Sequence, residues 1–369
     1  MIGEFINKVF NNNCLDGLPD LPDKSVNCCV TSPPYYGLRD YGTGKWVGGD
    51  EKCPHYRIEK NKNSNTGQRN VSGSIGNGIY KEICGKCGAI RVDEQIGLEK
   101  TPEKYVEKLV EVFSEVKRVL RDDGTLWLNL GDCYNGSGKA GSREYAESKH
   151  TEFGGKFNIG RYASPTNIKN LKPKDLIGIP WMVAFALRDD GWYLRQDIIW
   201  HKRNPMPESV KDRPTKSHEY IFLMSKSKTY YYDAEAISTE VKENTKKRYG
   251  RGWNGNKDKG YPGGIQNNMD KFMDPGNKKR EWSNKKSVWT VNTKPYKEAH
   301  FAVYPEKLIV DCIKAGCPEG GIVLDPFMGA YTTACVARKL NRNYTGFELN
   351  PEYTKIGEKR LYDEIGIFQ

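Results

Sequence analysis

The stretch "GIVLDPFMGAYTTACVA" (residues 321–337) joins an apolar run, a tight loop and a helical pattern. This order predicts a buried strand that turns directly into a helix, and in doubly wound sheets such strand ends bind nucleotide-like ligands. The next predicted strand ends in "GFELN", where the carboxylate of Glu348 can accept hydrogen bonds from ribose hydroxyls. This segment lacks G-x-G-x-x-G, so a dinucleotide is not its natural ligand.

Further strands and helices alternate on the N-terminal and C-terminal sides of this stretch. Thr101 is a candidate N-cap with Pro102 at the first helical position, followed by apolar residues at helical spacing. We predict helices over 102–120, about 173–189, 306–316, 332–340 and 351–365, and strands over 26–30, 125–132, 192–202, 218–227, 321–325 and 343–349. Such alternation predicts an α/β fold with a mostly parallel sheet flanked by helices.

A second stretch, "NCCVTSPPYYGLRDYG" (residues 27–42), ends a strand in an unusual way. The apolar run from Val26 to Val30 stops at Thr31-Ser32-Pro33-Pro34-Tyr35. Two adjacent prolines remove two backbone donors and stiffen the chain, which leaves a rigid corner with a hydroxyl before it and an aromatic ring after it.

Together, "TSPPY" and "DPFMGAYTT" resemble the DNA amino-methyltransferases that use S-adenosylmethionine. In that family, [DNS]-P-P-[YFW] is the catalytic loop and D-P-F-x-G-S-G-T-T is the cofactor loop. The catalytic loop comes first here, which is the family's beta order, a circular permutation of the Rossmann-like methyltransferase fold. The resemblance extends to "DDGTLWLNLGD", "HEYIFLMSKS" and "HFAVYPEKL", and so covers most of the chain.

The resemblance gives the proline corner a chemical role. An exocyclic base amine is a poor nucleophile because its lone pair is delocalised into the ring. The Ser32 hydroxyl and the Pro33 carbonyl are suited to hold the amine hydrogens, and Pro33 and Pro34 preorganise that carbonyl. Tyr35 is expected to stack on the base, which must leave the duplex to reach this corner.

The identity of the target base rests on the first residue of the loop. Serine resembles the N4-cytosine members, whereas N6-adenine members usually carry Asp or Asn, so cytosine N4 is favoured and adenine N6 is the alternative. Cytosine-C5 chemistry needs a thiolate, commonly in a Pro-Cys pair, and no Pro-Cys dipeptide occurs in the sequence.

The resemblance also implies a set of cofactor contacts. Glu348 is expected to hold the ribose, and "NNNCLDGLPD" is similar to the family's stretch beside the adenine ring, with Asn13 where Asp is usual. Ala330-Tyr331 stands where the family has Ser-Gly, and a bulky Tyr331 disfavours the positive φ that glycine tolerates. The expected cofactor residues are Asn13, Cys14, Asp325, Phe327, Gly329, Ala330, Thr332 and Glu348.

Four residues between 43 and 100 form a different pattern. Cys53-x-His55 is followed by Cys84-x-x-Cys87 in "CGKCG", where two thiolates on a tight turn can bind one metal ion. The four ligands make a tetrahedral zinc set with no open position, so we predict structural zinc. The alternative is three unrelated thiols. Five further cysteines are expected to be core thiols of a cytoplasmic protein: Cys28, Cys29, Cys133, Cys312 and Cys335.

The charge of the chain is concentrated in one region. Its 369 residues carry 58 Lys and Arg against 47 Asp and Glu, a net charge of +11. Between residues 242 and 294 stand eleven Lys, three Arg and five acidic residues, a local charge of +9. We expect this region to bind double-stranded DNA, with phosphate contacts from Lys278, Lys279 and Arg280 and a base contact from Trp282.

These patterns divide the chain into three parts. Residues 1–42, 101–235 and 300–369 are predicted to form the catalytic domain, 43–100 a zinc-binding insertion, and 236–299 a target-recognition region. No apolar run has transmembrane length. Two alternative functions stay open: a catalytically inactive DNA-binding protein, and an RNA or protein amino-methyltransferase. The protein can be a monomer or a homodimer, and a cognate restriction endonuclease is a possible partner.

Overall fold

The computed structural model describes residues 2–37, 41–58, 77–79, 83–136, 168, 171–241, 282–293 and 303–366. Its helices are α1 (Cys14–Gly17), α2 (Pro102–Val119), α3 (Ile179–Asp189), α4 (Glu306–Gly316), α5 (Thr332–Lys339) and α6 (Pro351–Ile365). Its strands are β1 (Lys8–Phe10), β2 (Val26–Thr31), β3 (Lys45–Val47), β4 (Tyr56–Ile58), β5 (Asn77–Ile79), β6 (Ile90–Val92), β7 (Leu120–Leu130), β8 (Tyr193–His201), β9 (His218–Ser225), β10 (Thr239–Glu240), β11 (Trp282–Ser283), β12 (Val288–Thr290), β13 (Ile322–Asp325) and β14 (Asn343–Phe347).

Eight strands form one sheet in the order β1-β14-β13-β2-β7-β9-β8-β12. Neighbours from β1 to β7 are parallel, β9 is antiparallel to both of its neighbours, and β12 is parallel to β8. This arrangement confirms the expected α/β class with a mostly parallel sheet.

The two strands that carry the diagnostic sequences lie side by side in the sheet. Cys28 of β2 pairs with Val323 of β13, and Cys29 pairs with Leu324. Because the two strands are parallel, the proline corner and the cofactor loop leave the sheet at the same edge. Segments almost 300 positions apart in the chain therefore meet at one site.

Alternate residues of these central strands enter two different cores. Cys29 and Leu324 belong to a buried cluster with α2 and α3, whereas Cys28 and Val323 belong to a cluster with α4 and α5. Strands that are apolar on both faces require helices on both faces, as in other parallel sheets. Within the described ranges, no helix has the length and apolarity that crossing a membrane requires.

Helix α2 begins as predicted: Thr101 accepts a hydrogen bond from the Lys104 amide, and Pro102 is the first helical residue. The prediction for α3 was wrong at its start, because the helix begins at Ile179 rather than near residue 173. Gly178 adopts a φ of +85° before it, and the Asp132 carboxylate accepts the amides of Gly178 and Ile179. Asp132, which follows β7, thus caps a helix that is distant from it in the sequence. A local sequence pattern cannot indicate such a cap.

The region of residues 43–100 contains short antiparallel strand pairs, β3 with β6 and β4 with β5, that hydrophobic periodicity did not reveal. In the basic region, Lys278, Lys279 and Arg280 lie outside the described residues. Trp282 is in β11, which pairs with β10, and its side chain is 59% exposed. An exposed indole is available for the predicted base contact, which stays a prediction.

Candidate active site

Asp325, the last residue of β13, joins the cofactor loop to the strand that carries the proline corner. One carboxylate oxygen accepts a hydrogen bond from the Thr31 hydroxyl at 2.6 Å and another from the Phe327 amide at 3.0 Å. The other oxygen accepts from the hydroxyls of Tyr304, at 3.0 Å, and Thr333. Both oxygens are therefore occupied by protein donors, and a contact of Asp325 with the cofactor stays a prediction.

Asp325 is 1% exposed, and burial raises the pKa of its carboxyl, although the donors from Thr31, Thr333 and Phe327 oppose that rise. A buried carboxylate is tolerated when it is fully hydrogen-bonded. Tyr304 and Thr333 are therefore site residues that the sequence motif did not indicate, since neither was assigned a role.

Glu348, at the end of β14, lies on the other side of the same loop. Its carboxylate accepts the amide of Gly329 at 2.8 Å and the amide of Asn350 at 2.8 Å. Burial raises the pKa of Glu348 to about 7, and the nearby Asp325 adds to the rise. The site thus contains two acidic groups, Asp325 buried and Glu348 half-buried, a setting that favours a cationic ligand.

The cofactor loop contains two residues in the left-handed region, Gly329 with φ of +54° and Tyr331 with φ of +60°. Tyr331 therefore adopts the conformation that its bulk disfavours. Its ring is 2% exposed and lies against Gly357 of α6, where a Cβ would come within 2.1 Å of it. Packing on a glycine compensates for backbone strain and accommodates a tyrosine where the family motif has glycine.

The remaining predicted cofactor residues surround the loop. Ala330 and Thr332 are buried, and Arg360 of α6 donates to the Ala330 carbonyl and to the Thr332 hydroxyl. Asn13 caps α1 by accepting the Leu15 amide at 3.0 Å, and Cys14 behind it is buried. Contacts of these residues with the cofactor stay predictions, since protein partners occupy the polar groups named here.

The proline corner is held by residues of α2 and β7. Tyr105 of α2 donates a hydrogen bond to the Pro34 carbonyl at 2.8 Å. The Tyr35 ring packs on Gly131, where a Cβ would lie 2.4 Å from ring atom Cε2. The corner is therefore rigid, as the sequence predicts, and one side of the Tyr35 ring is already covered.

The Tyr35 hydroxyl leads to a polar cluster that the sequence did not indicate. It donates to Glu219 Oε2 at 2.7 Å, and Glu219 also accepts from Asn129 Nδ2 at 3.3 Å. Lys202 forms an ion pair with the other Glu219 oxygen, and both side chains are more than four-fifths buried. The sequence motifs gave no indication of a role for Glu219.

Cys53, His55, Cys84 and Cys87 come together in the structure. Their ligand atoms all lie within 4.8 Å of one another, with Cys53 Sγ 3.7 Å from Cys84 Sγ and Cys87 Sγ 3.5 Å from His55 Nδ1. Trp46 of β3 stacks on the His55 ring with 4.7 Å between centroids. This Cys/His cluster is the arrangement that the sequence predicts.

The segment after the Cys/His cluster reaches both halves of the active site. The Gly97 carbonyl accepts the Gly37 amide at 2.8 Å, next to the proline corner. The Gln95 side chain accepts a hydrogen bond from the Tyr41 backbone amide at 2.6 Å. The Tyr41 carbonyl accepts one from the Asn350 side chain, and the Asn350 backbone amide donates to Glu348. Hydrogen bonds therefore connect the insertion to the catalytic corner and to the predicted ribose site.

The family model for DNA methylases matches residues 26–359, which include the proline corner, Asp325 and Glu348. The chain belongs to the DNA methylase family. It is similar to the Type II methyltransferases M.Cfr9I of Citrobacter freundii, at 40% identity over 96% of this chain and 88% of that protein, and M.SmaI of Serratia marcescens, at 37% over 96% and 90%.

The fold is similar to the solved PvuII DNA methyltransferase (cytosine-N4-specific), with a TM-score of 0.52 at 15% identity, over 97% of this chain and 90% of that one. This likeness shows the expected fold. As a member of the DNA methylase family, the chain is an S-adenosylmethionine-dependent methyltransferase. The methyl donor carries a sulfonium, an ammonium and a carboxylate, so its net charge is +1, and the buried carboxyl of Asp325 next to the loop suits a cationic ligand.

The raised pKa of Glu348 predicts pH-dependent ligand binding. A ribose hydroxyl that donates to Glu348 stabilises the ionised carboxylate over the protonated acid. Cofactor binding should therefore lower the pKa of Glu348, which is about 7 in the free protein. Affinity for S-adenosylhomocysteine should therefore rise as the pH rises from about 6 to about 8, by up to roughly tenfold per pH unit below the pKa.

Isothermal titration calorimetry measures this dependence, and Glu348→Gln should flatten it. Glu352→Gln, which removes an exposed carboxylate from the first turn of α6, is the matched control and should keep it. The same pH dependence in Glu348→Gln as in the unaltered protein would contradict the role of Glu348.

Proposed function

We propose that this chain is a site-specific Type II modification methyltransferase that methylates the exocyclic N4 amine of cytosine in double-stranded DNA. Ser32 carries the proposal, because the loop presents a neutral hydroxyl where adenine-specific members usually have a carboxylate or an amide. The Ser32 hydroxyl and the Pro33 carbonyl hold the two amine hydrogens and draw the nitrogen towards tetrahedral geometry. Methylation of adenine N6 is the competing function, since the family includes both kinds of enzyme.

The Type II assignment is supported by relatives that are similar over nearly their whole length. M.Cfr9I and M.SmaI are both named Type II methyltransferases, and the chain covers 88% and 90% of them. A catalytically inactive DNA-binding protein was suggested only by the altered cofactor loop. Tyr331 adopts the left-handed backbone that a glycine at this position would tolerate, which favours an active enzyme over that alternative.

The product decides between cytosine and adenine. DNA methylated with labelled S-adenosylmethionine should yield N4-methylcytosine after digestion to nucleosides and mass spectrometry. Ser32→Ala should slow single-turnover methyl transfer by about 10²-fold, because the hydroxyl acts as the amine rehybridises, and should leave cofactor affinity unchanged. Ser25→Ala, at the other end of the same strand, is the control.

N6-methyladenine as the product of the unaltered protein would overturn the cytosine assignment. A Ser32→Ala variant with the unaltered single-turnover rate would show that the hydroxyl has no part in the reaction, whichever base is methylated.

We further propose that Cys53, His55, Cys84 and Cys87 bind a structural zinc ion. Zinc–sulfur bonds of about 2.3 Å at tetrahedral angles place two ligand sulfurs about 3.8 Å apart. The Cys53–Cys84 separation of 3.7 Å fits this value. Three cysteines and one histidine leave no coordination position for substrate, so the ion serves the fold.

The turn between the last two ligands has the form that such a site needs. The Cys84 amide donates to the Ala89 carbonyl, and the Gly88 amide donates to the Cys84 carbonyl, each at 2.8 Å. Gly88 has φ of +74°, which a glycine adopts without strain. Bound zinc would hold β3 and β6 together and so position Gln95 and Gly97 on the catalytic corner.

Purified protein should contain about one zinc per chain, as one four-ligand site requires. Replacing Cys84 and Cys87 together with serine should remove the metal and slow methyl transfer, because Gly97 no longer supports the corner. Cys133→Ser, which changes a half-buried thiol outside the cluster, should retain the metal. Mass spectrometry showing no zinc in protein prepared without chelators would contradict the site.

A further inference from the structure

Strand β8 extends past the catalytic corner. Both β7 and β8 are antiparallel to β9, so β8 runs in the same direction as β7 and β2. Across the sheet, Thr31 at the end of β2 is level with Asp197 of β8, and residues 198–201 continue beyond the point where the proline corner begins. Residues 202–217, which we call the β8–β9 loop, therefore leave the sheet at the edge that carries the corner.

The base of the β8–β9 loop is tied to the corner by side-chain contacts. Lys202 pairs with Glu219, whose carboxylate accepts a hydrogen bond from the Tyr35 hydroxyl at 2.7 Å. The Lys202 amide donates to the Ser217 carbonyl at 2.8 Å, which closes the base of the loop. The loop thus begins next to the ring that is expected to stack on the target base.

Met206 is the prominent apolar residue of this loop. Its side chain is 80% exposed, more than any other large apolar side chain in the described ranges. A single exposed apolar residue is common on protein surfaces, so the meaning of this exposure depends on what surrounds it. Met206 stands between Pro205 and Pro207. Pro205 has a fixed φ, and Pro207 restricts the residue before it to extended backbone, so the methionine lies on a stiff segment.

The loop is also held on both sides of this segment. Asn204 donates to the Thr293 carbonyl at 3.1 Å and accepts the Thr293 amide at 3.0 Å. Beyond the second proline, Glu208 accepts a hydrogen bond from Arg213 at 2.6 Å, and the Arg213 guanidinium lies 3.8 Å from the centre of the Tyr134 ring. An apolar side chain on such a support loses little conformational entropy when a partner buries it.

The charge of the β8–β9 loop suits a DNA partner. Residues 202–217 contain five Lys and Arg and two acidic residues, a net charge of +3. Arg203 and Lys211, which lie on either side of the methionine in the sequence, are exposed and can reach phosphates. A DNA duplex combines an anionic backbone with an apolar stack of bases, and it therefore fits both features of the loop.

A base that rotates out of a duplex leaves a gap in the stack. Unpairing and unstacking cost free energy, and proteins that distort DNA insert apolar side chains, methionine among them, between base steps. We propose that Met206 enters the duplex and fills the space that the target base leaves when it moves to the catalytic corner; this inference rests on the proposed methylation of a base in double-stranded DNA.

Met206→Ala tests this role. The substrate is a synthetic duplex around the site that the unaltered enzyme methylates in genomic DNA, so the same test applies to a cytosine or an adenine target. In single-turnover assays with saturating cofactor, Met206→Ala should be slower by about tenfold or more, as expected for the loss of a buried methionine side chain. Met206→Leu keeps the apolar volume and should stay within about threefold of the unaltered rate.

A pyrene nucleotide opposite the target base separates insertion into the stack from a structural role. Pyrene fills the gap by itself, so Met206→Ala should methylate this duplex as fast as the unaltered enzyme does. Tyr362→Ala, which truncates a 58% exposed side chain near the end of α6, is the control and should keep the unaltered rate on both duplexes. Calorimetry with S-adenosylhomocysteine should give the same cofactor affinity for every variant.

An unaltered rate of Met206→Ala on the normal duplex would overturn the proposal. An equal loss on the normal and the pyrene duplex would also overturn it, because a defect that pyrene does not repair lies outside the base stack. If the unaltered enzyme methylates no DNA, the proposed function fails and this inference fails with it. The rate of the unaltered enzyme therefore distinguishes the two failures.

Discussion

The hydrogen bond from the Thr31 hydroxyl to the Asp325 carboxylate is the contact on which the active site depends. Thr31 ends the strand before the proline corner, and Asp325 ends the strand before the cofactor loop. Pairing of the two strands brings these loops to the same edge, this bond joins the two strand ends directly, and Tyr304, Thr333 and Phe327 hold the Asp325 carboxylate in place. Methyl transfer needs such fixed placement, since small displacements of reacting groups cost large factors in rate.

Buried charge is divided between the two halves of the site. The cofactor half holds Asp325 and Glu348, and among the ion pairs of the described residues neither carboxylate has a cationic partner. The base half holds Glu219 together with Lys202. A cationic methyl donor can balance the first pair of acids, whereas Glu219 has its counter-charge in the protein. Each half is thus suited to the charge of its own substrate.

Much of the fold followed from sequence because its signals are local. Thr101 and Pro102 marked the start of α2, and the apolar runs of β2 and β13 marked a sheet buried on both faces. The start of α3 did not follow, because its cap is Asp132, more than forty positions earlier in the chain. Local pattern carries no information about such a partner.

The candidate site was also predictable only where its signals are local in the sequence. Family motifs located the corner, the loop and Glu348, and cysteine spacing located the four residues of the Cys/His cluster. Glu219, Tyr304 and Gly357 were missed, since each gains its role from a contact with a residue far away in sequence. Gly357 illustrates the point, because only the packed Tyr331 ring shows why α6 needs a glycine there.

Thr31→Val removes the hydroxyl that joins the two loops and little else, since valine keeps the shape of threonine. Single-turnover methyl transfer at saturating cofactor tests whether this bond holds the site together. Thr345→Val is the matched control, because the Thr345 hydroxyl is buried on β14 and has no hydrogen-bond partner among the described residues. We expect Thr31→Val to be slower by at least about tenfold, in line with the loss of one hydrogen bond to a charged group, and Thr345→Val to be unchanged. Equal rates for both variants and the unaltered enzyme would contradict the role of the Thr31–Asp325 bond.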